Sequence, residues 1–319
     1  MKTFVIGCGR FGTFIAWYLD RIGHQVSLYG RETSKNMIAL MEKHGNDYVD
    51  FSDTLKLTTN LDEIVDAETI VISINAQNVQ SLCDTLKPYD LKYKTFVLCM
   101  KGIEIATGRR LSQIIEENMD ASNRVAVWVG PGHVEEFYRE IPNCMVIDSD
   151  STQVKQRLID ELSSDLIRFY YGCDLVGSEI GAAAKNVIGI AAGMLDGFDR
   201  SSLKGPLMAR APREIGHLIK AMGGNELSAY GLCHLGDYEA TLFSPHSHNR
   251  MYGESVIKKT SYDKLAEGYY TVKALVQLGE KYHVELPICE TVYHVLYENQ
   301  DPVCALNDLL SRSQKGEFL

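Results

Sequence analysis

The sequence predicts two domains: an α/β domain with a mostly parallel, doubly wound sheet over residues 1–174, and an all-α domain over residues 175–319. Three observations support this prediction. Short apolar runs alternate with amphipathic helical segments up to about residue 170. Strand signals vanish from about Asp174 onward, and 319 residues are enough for two hydrophobic cores. No low-complexity linker separates the halves, so we expect the domains to pack closely.

Six strands are predicted in the first domain, each from a short run rich in β-branched and aromatic residues. They are Thr3–Ile6, Gln25–Tyr29, Thr69–Ile74, Thr95–Cys99, Val125–Val129 and Cys144–Ile147. Helical patterns between them lie at Phe11–Ile22, Val79–Leu86 and Gly108–Asn118. Because strand and helix alternate, we expect parallel βαβ units with right-handed crossovers.

Helical periodicity dominates the second domain. The predicted helices are Ile180–Leu195, Leu203–Met222, Tyr262–Lys281, Glu290–Tyr297 and Val303–Ser311. The first of these is almost entirely small or apolar, yet it carries Lys185 and Asn186 at its centre. Lysine is rarely buried without a partner. Lys185 is therefore either a snorkelling or ion-paired structural residue, or a lysine at the wall of a cleft whose pKa is lowered by desolvation.

Composition excludes several classes of partner. The net charge is −10 and no block of Lys or Arg is present, so binding to nucleic acids or to membrane surfaces is not expected. No apolar run reaches the ~18–20 residues of a membrane span, and the first strand begins without a secretory pattern. The eight cysteines are scattered, with no C-x-x-C pair and no metal-ligand spacing. We therefore expect reduced core thiols in a cytoplasmic protein, and no metal site.

A glycine-rich loop directly follows the first strand. Gly7, Gly9 and Gly12 form G-x-G-x-x-G and open a helix, with Arg10 and Phe11 between them. Glycine permits a tight turn, the approach of the backbone to a pyrophosphate and close contact between helix and strand. The pattern predicts a dinucleotide site.

The end of the second strand bears on which dinucleotide is bound. An NAD site usually places an acid there, whereas this chain has Tyr29-Gly30-Arg31-Glu32. Arg31 and Arg10 could both face a 2′-phosphate with charge-assisted hydrogen bonds. We therefore predict NADPH in preference to NADH, while Glu32 leaves NADH open.

Further candidate residues follow strand ends, where open α/β sheets bind their ligands. Lys101 follows the strand at 95–99, and Gly130-Pro131-Gly132 follows the strand at 125–129. Residues 236–250 add Asp237, a possible acidic partner for Lys185, together with hydroxyls, histidines and an arginine.

Taken together, these motifs resemble the NAD(P)-dependent glycerol-3-phosphate dehydrogenases of the soluble bacterial type. The matching segments, in chain order, are GCGRFG (7–12), KGIE (101–104), Gly130-Pro131, AAAKNVIGIAAGMLDG (182–197), GLCHLGD (231–237) with Thr241, HNR (248–250), AEGY (266–269) and VELPICETVYHVLY (284–297). The resemblance implies a Rossmann domain, an all-helical second domain and a homodimer. It also implies the reversible reduction of dihydroxyacetone phosphate, a small phosphorylated triose, to sn-glycerol 3-phosphate.

The resemblance also implies roles for individual residues. Lys185 corresponds to the general acid/base, Lys101 to a second lysine near substrate and nicotinamide, and Asp237 to the carboxylate that orients the lysine. The residues that it implies around the substrate are Gly130, Gly132, Asn186, Thr241, Ser247, His248 and Asn249. Those that it implies near the cofactor, besides the glycine loop, are Lys101, Val134, Leu265 and Glu267.

The chain departs from the family pattern around the substrate. His248 stands where the family has an arginine that grips the phosphate, and Gly132 removes a hydroxyl. Either the phosphate site is rebuilt from other cations, or the substrate is a different ketone or hydroxy compound. The candidate replacements are Arg250, Arg200, Lys204 and His246.

Two rival functions stay open. A hydroxy-acid dehydrogenase of the wider 6-phosphogluconate-like group would pair lysine and asparagine as K-x-x-x-N, but Lys185 and Asn186 are adjacent. A non-catalytic NAD(P)H-binding regulator would explain the altered phosphate motif but not the retained Lys101, Lys185 and Asp237.

Overall fold

The computed structural model describes residues 1–313 and 316–317. The first part of the described chain forms one eight-stranded sheet in the order β3-β2-β1-β4-β5-β6-β7-β8. Its strands are β1 (Lys2–Ile6), β2 (Gln25–Tyr29), β3 (Lys56–Thr58), β4 (Thr69–Ile72), β5 (Thr95–Leu98), β6 (Arg124–Val129), β7 (Asn143–Asp148) and β8 (Ile167–Tyr171). The strand order reverses between β1 and β4, which are paired in parallel. A doubly wound sheet binds its ligand at such a switch point.

Helices cover both faces of the sheet and build the second part of the chain. Those of the first part are α1 (Arg10–Arg21), α2 (Lys35–Lys43), α3 (Val79–Leu86), α4 (Leu111–Asn118), α5 (Val134–Tyr138) and α6 (Thr152–Leu162). Those of the second part are α7 (Leu175–Gly197), α8 (Lys204–Ala221), α9 (His248–Lys258), α10 (Glu267–Tyr282), α11 (Pro287–Tyr297) and α12 (Pro302–Leu310). The fold class predicted from the sequence is confirmed. The domain boundary at residue 174 stays a prediction.

All six predicted strands are present, with ends shifted by at most two residues. The sheet is mostly parallel, as predicted, and the exception is the antiparallel pair β6 and β7. Between Val129 and Asn143 the chain contains only the short helix α5. A parallel return needs a crossover of a dozen or more residues, usually with a full helix. The chain therefore turns back directly.

Elements with weak apolar patterns escaped prediction. Strand β3 has three residues, and β8 alternates buried and exposed side chains at the sheet edge. Helices α2, α5, α6 and α9 were also missed, and the predicted helix Tyr262–Lys281 begins only at Glu267. Helix α9 is rich in polar residues, so its own periodicity does not reveal that it packs on α7.

Helix α7 is the centre of the second part and packs closely against α9. A Cβ atom added to Gly193 of α7 would lie 1.9 Å from the carbonyl oxygen of Arg250, and one added to Gly253 of α9 would lie 2.1 Å from that of Ile190. The two backbones therefore touch, which only glycine permits. This contact fixes the start of α9 relative to the centre of α7, where Lys185 lies.

Among the described residues, α7 is the one helix long and apolar enough to cross a membrane, so the expectation that no segment reaches this length is wrong. Its many small and apolar residues outweigh Lys185 in the mean hydropathy of the helix. However, 89% of its most apolar window is buried inside the fold. The apolar surface of α7 is thus accounted for by packing within this chain.

The cysteines only partly match expectation. All eight are free, and five are buried, but Cys173 and Cys304 are exposed and Cys144 is half-buried. Cys173 lies in the connection between β8 and α7, and Cys304 lies on the outer helix α12. Both segments run over the surface, so these thiols are not core residues.

Candidate active site

A cleft of about 1540 Å³ opens at the carboxyl ends of the parallel strands. The loops after β1, β2, β4, β5 and β6 form one wall, and α7, residues 237–249 and residues 264–267 form the other. Every residue that the sequence assigned to cofactor or substrate lines this cleft, apart from Gly12 and Gly130. The fold therefore brings together, at the switch point of the sheet, segments that lie 30 or more positions apart in the chain.

The glycine loop has the geometry that a dinucleotide needs. Gly7 has a φ of +113°, and a Cβ there would lie 2.1 Å from the carbonyl oxygen of Ser73. A Cβ on Gly12 would lie 1.9 Å from the carbonyl oxygen of Gly7, which explains why Gly12 supports the loop from beneath without lining the cleft. At Gly9 a Cβ would meet nothing within 4 Å. Because α1 starts at Arg10 and no described side chain caps it, its first N–H groups can bind a pyrophosphate.

The two arginines assigned to the cofactor differ in their surroundings. Arg10 forms an ion pair with Glu135 of α5. Arg31 is exposed and forms no ion pair with any residue that the structure describes. The charge of Arg10 is therefore already compensated, and of the two only Arg31 offers an uncompensated charge to a 2′-phosphate.

At the centre of the cleft, one carboxylate binds two lysines. The ammonium groups of Lys185 and Lys101 each lie 2.7 Å from the same oxygen, Oδ2 of Asp237. Lys185 also donates to Oγ1 of Thr241 at 2.9 Å, and Thr241 donates to the carbonyl oxygen of Asp237 at 2.7 Å. Lys101 donates further to the carbonyl oxygen of Gly130 at 2.8 Å, which is the role of Gly130 here. The cluster carries one net positive charge when both lysines are protonated.

Two members of this cluster are almost completely shielded from water, while the side chain of Lys101 is 18% exposed. Lys185 is 7% exposed and Asp237 is 1% exposed. Burial lowers the pKa of Lys185 to about 8; the charge of Asp237 raises it and the charge of Lys101 lowers it further. An amine with a pKa near neutrality can both donate and accept a proton, which suits a general acid/base.

A chain of amides holds the two lysines in register. Asn186 donates to the carbonyl oxygen of Lys101 at 3.0 Å and accepts from Asn249 at 3.0 Å. Asn249 in turn accepts from the backbone N–H of Gly268 at 2.9 Å. These bonds join the end of β5 to α7, α9 and α10. They explain why an otherwise apolar helix carries an asparagine beside its lysine.

The turn that carries Asp237 is anchored by a histidine to which the sequence assigned no role. His234 is fully buried, with Nδ1 at 2.9 Å from the carbonyl oxygen of Gly181 and Nε2 at 2.7 Å from the hydroxyl of Tyr238. Burial lowers the pKa of His234 to about 4, so the ring is neutral. The pair fixes the turn that carries Asp237 to α7, one helical turn before Lys185.

Two of the four cations considered for the substrate phosphate form ion pairs with other residues. Arg250 pairs with Asp196 at 2.9 Å and with Glu254 at 3.0 Å. Lys204 pairs with Asp196 at 2.7 Å. Neither they nor Arg200 line the cleft, whereas His246 does. Of the four candidates, His246 is therefore the one that the structure places at the cleft.

Several cleft residues gave no signal in the sequence. They are Ser34, Asn36, Ser73, Asn75, Asn78, His133 and Lys264. These residues lie outside the motifs that the sequence singled out. Ser73 directly follows β4, so its position at a strand end is the one signal in the sequence that could have indicated it. In the described part of the chain, no group of three His, Cys, Asp or Glu residues could hold a metal ion.

Comparison with known proteins identifies the family. The model for the NAD-dependent glycerol-3-phosphate dehydrogenase N-terminus matches residues 2–155, and that for the C-terminus matches residues 174–307. The chain belongs to this dehydrogenase family. The resemblance drawn from the motifs is thereby confirmed, as is a dinucleotide of the NAD(P) type.

Individual members of the family match over their whole length. Relatives from Clostridium botulinum and from a Thermoanaerobacter species, both named glycerol-3-phosphate dehydrogenase (NAD(P)+), are 33% and 34% identical to this chain. The alignments cover 99% and 100% of the chain, and 99% of each relative. A crystal structure of glycerol-3-phosphate dehydrogenase from Coxiella burnetii superposes with a TM-score of 0.90 at 26% identity, covering 98% of this chain and 99% of that one.

Proposed function

We propose that this protein catalyses the reversible, NAD(P)H-dependent reduction of dihydroxyacetone phosphate to sn-glycerol 3-phosphate. Membership of the family supports the reaction class. The observation that carries the proposal is the water-poor cluster in which Asp237 binds both Lys185 and Lys101. It lies in the same cleft as the glycine loop, so a dinucleotide and a small ketone can meet there.

In this proposal, different residues bind the cofactor, protonate the substrate and stabilise the developing charge. The N–H groups at the start of α1 and the glycine loop bind the pyrophosphate. A bound reduced nicotinamide supplies a hydride to the carbonyl carbon of the substrate. Lys185 donates a proton to the carbonyl oxygen, on which negative charge develops. Lys101 adds a second positive charge near that oxygen, where low exposure to water strengthens the attraction.

Asp237 has a positioning role in this scheme. Its carboxylate fixes both ammonium groups, and Thr241 orients the Lys185 amine from the other side. In the reductive direction Lys185 becomes neutral and regains a proton from water after the product leaves. In the oxidative direction neutral Lys185 accepts the proton of the substrate hydroxyl. A pKa of about 8 allows both directions near neutral pH.

The remaining assignments are also proposals. Ser247, His248 and Asn249 bind the substrate at the start of α9, together with Gly132 and Asn186. Val134, Leu265 and Glu267 contact the cofactor, and Arg31 favours NADPH over NADH. The protein acts in the cytoplasm as a homodimer; the eight free cysteines suit a reducing compartment.

The test is turnover of dihydroxyacetone phosphate with NADPH and with NADH, in the wild type and in His248→Arg. We expect turnover in the wild type and a lower KM for the triose phosphate in the variant, since arginine binds phosphate through two parallel hydrogen bonds. A wild type that does not turn over the substrate, combined with a variant that does, would show that the natural substrate is different.

A second candidate has one observation in its favour. His248 replaces the phosphate-binding arginine of the family pattern, and Arg250 is tied to Asp196 and Glu254. A related dehydrogenase that acts on another hydroxy or keto compound would tolerate this change. Activity on unphosphorylated ketones that exceeds activity on dihydroxyacetone phosphate would favour it.

A further inference from the structure

The cleft contains five lysine and arginine side chains, and their pairing is uneven. They are Arg10, Arg31, Lys101, Lys185 and Lys264. Three of them are matched to carboxylates: Arg10 to Glu135, and both central lysines to Asp237. Within residues 1–313 and 316–317, neither Arg31 nor Lys264 forms an ion pair with a carboxylate. Arg31 follows β2 at the cofactor end of the cleft, which leaves Lys264 as the uncompensated cation on the helical side.

Lys264 shares its corner of the cleft with His248. The segment between α9 and α10 carries both Tyr262 and Lys264. The hydroxyl of Tyr262 lies 2.6 Å from Nδ1 of His248, the first residue of α9. The ring centroids of the two residues are 6.3 Å apart. This bond ties the segment to the start of α9, and Lys264, His248 and Ser247 all line the cleft.

His248 itself does not supply positive charge to this corner. Its burial lowers its pKa, and the charges of Lys264 and Arg10 lower it further, while Glu135 acts in the opposite direction. The ring is therefore neutral near pH 7. Burial raises the pKa of Tyr262, so its hydroxyl keeps its proton and can donate it to Nδ1. In the tautomer of His248 that accepts this bond, the other ring nitrogen, Nε2, carries the hydrogen and can donate it to a ligand.

We propose that Lys264 supplies the positive charge that binds the phosphate group of the substrate, and that Tyr262 positions His248 to donate a hydrogen bond to the same group. This inference rests on the proposed function and deepens it by naming the residues that select a phosphorylated substrate. Lys264 thereby provides the charge that a histidine at position 248 lacks. Tyr262 is a positioning residue, because it acts through His248.

The main experiment replaces Lys264 with glutamine and uses Lys259→Gln as a matched control. Lys259 is an exposed lysine in the same connection, and it does not line the cleft. We expect Lys264→Gln to raise the KM for dihydroxyacetone phosphate by about tenfold or more, the size typical of a hydrogen bond to a charged group. The values of kcat, of the KM for NADPH and of kcat/KM for unphosphorylated dihydroxyacetone should stay within about twofold, and Lys259→Gln should match the wild type.

Two further variants separate charge from position. Tyr262→Phe should raise the same KM by about threefold to fivefold at unchanged kcat, since it removes one neutral hydrogen bond and frees the ring of His248. Adding His248→Arg to Lys264→Gln should restore the KM toward the wild-type value, because the charge returns to the same corner. A purely structural role for Lys264 would not give this rescue.

Several results would overturn the inference. One is an unchanged KM for dihydroxyacetone phosphate in Lys264→Gln, and another is an equal loss with unphosphorylated dihydroxyacetone. A rise in the KM for NADPH alone would assign Lys264 to the cofactor instead. If the wild type does not turn over dihydroxyacetone phosphate, the proposed function fails separately. The affinity for inorganic phosphate, measured by calorimetry in the presence of NADPH, then tests the role of Lys264 independently. Equal affinity in the wild type and in Lys264→Gln would refute that role.

Discussion

Replacing Lys185 with methionine removes the ammonium group while keeping most of the side-chain volume. Methionine cannot protonate the carbonyl oxygen, and positioned proton donors contribute about 10²- to 10⁴-fold to catalysis. We therefore expect kcat to fall by about two orders of magnitude or more, as we also expect for Lys185→Ala. The glycine loop and Arg31 do not contact Lys185, so the affinity for NADPH should be nearly unchanged.

The structure also predicts how the same change affects stability. The pKa of Lys185 is lowered from 10.5 to about 8, so burial of the charged form costs about 3 kcal/mol of folding stability at neutral pH. For a base with a depressed folded-state pKa, this cost is complete below pH 8 and disappears as the pH rises toward 10.5. In the variant, Asp237 keeps Lys101 at 2.7 Å. We therefore expect the free energy of unfolding of Lys185→Met at neutral pH to equal or exceed that of the wild type.

The assay combines initial rates of NADPH oxidation, NADPH binding by fluorescence and urea denaturation. Wild-type reduction should decline as the pH rises through about 8, because Lys185 must be protonated to act as the acid. Lys204→Met is the matched control. Lys204 is buried and pairs with Asp196 at 2.7 Å, but it lies outside the cleft, and Asp196 would keep Arg250. It should retain kcat within about threefold.

Two results would refute this reasoning. The first is a kcat for Lys185→Met within tenfold of the wild type, which would remove Lys185 as the proton donor. The second is a loss of activity that comes with an equal loss of stability or of NADPH affinity. In that case Lys185 would be a structural ion-pair residue, the alternative that its sequence position left open.

Three other predictions address the rest of the site. Asp237→Asn removes the carboxylate that raises the pKa of Lys185, so the decline in the reductive rate should move to lower pH by about one to three units, measured as the pH profile of kcat/KM; an unmoved profile would contradict the coupling of the two groups. Arg31→Ala should raise the KM for NADPH by about tenfold and leave that for NADH unchanged; an equal change for both cofactors would remove Arg31 from the 2′-phosphate. Gly9→Ala should fold normally and lose affinity for the dinucleotide, because its Cβ meets no protein atom, whereas Gly12→Ala should also lower the unfolding temperature, because its Cβ would lie 1.9 Å from the oxygen of Gly7. Equal stability of these two glycine variants would show that the loop is not packed as described.

The sequence predicted those parts of the site that depend on local chemistry. Gly7 and Gly12 are required by a turn and a contact that lie within a few residues of each other, so their spacing alone identifies the loop. Lys185 stands out because a charge in an apolar helix needs a reason. Both signals are visible without knowing where any distant residue lies.

The parts that were missed depend on contacts between distant segments. His234 lies in the GLCHLGD segment, but only the fold shows that it anchors the turn of Asp237 to α7. Arg250 looked available for phosphate binding, yet Asp196 and Glu254 hold it away from the cleft. Lys264 carried no pattern at all. In each case the outcome depends on which acid or carbonyl group lies nearby, and spacing along the chain does not specify that.

The distribution of charge in the cleft explains why a phosphorylated ketone suits this arrangement. Two ammonium groups share one carboxylate, so the centre retains a positive charge in a place that water hardly reaches. Glu267 also lines the cleft; burial raises the pKa of its carboxyl, while the charges of Lys101 and Lys185 lower it. The energetic cost of the unbalanced ammonium is lowest when a negative group enters the cleft. An anionic substrate, and the alkoxide that develops during hydride transfer, therefore offset a positive charge that the protein itself leaves unbalanced.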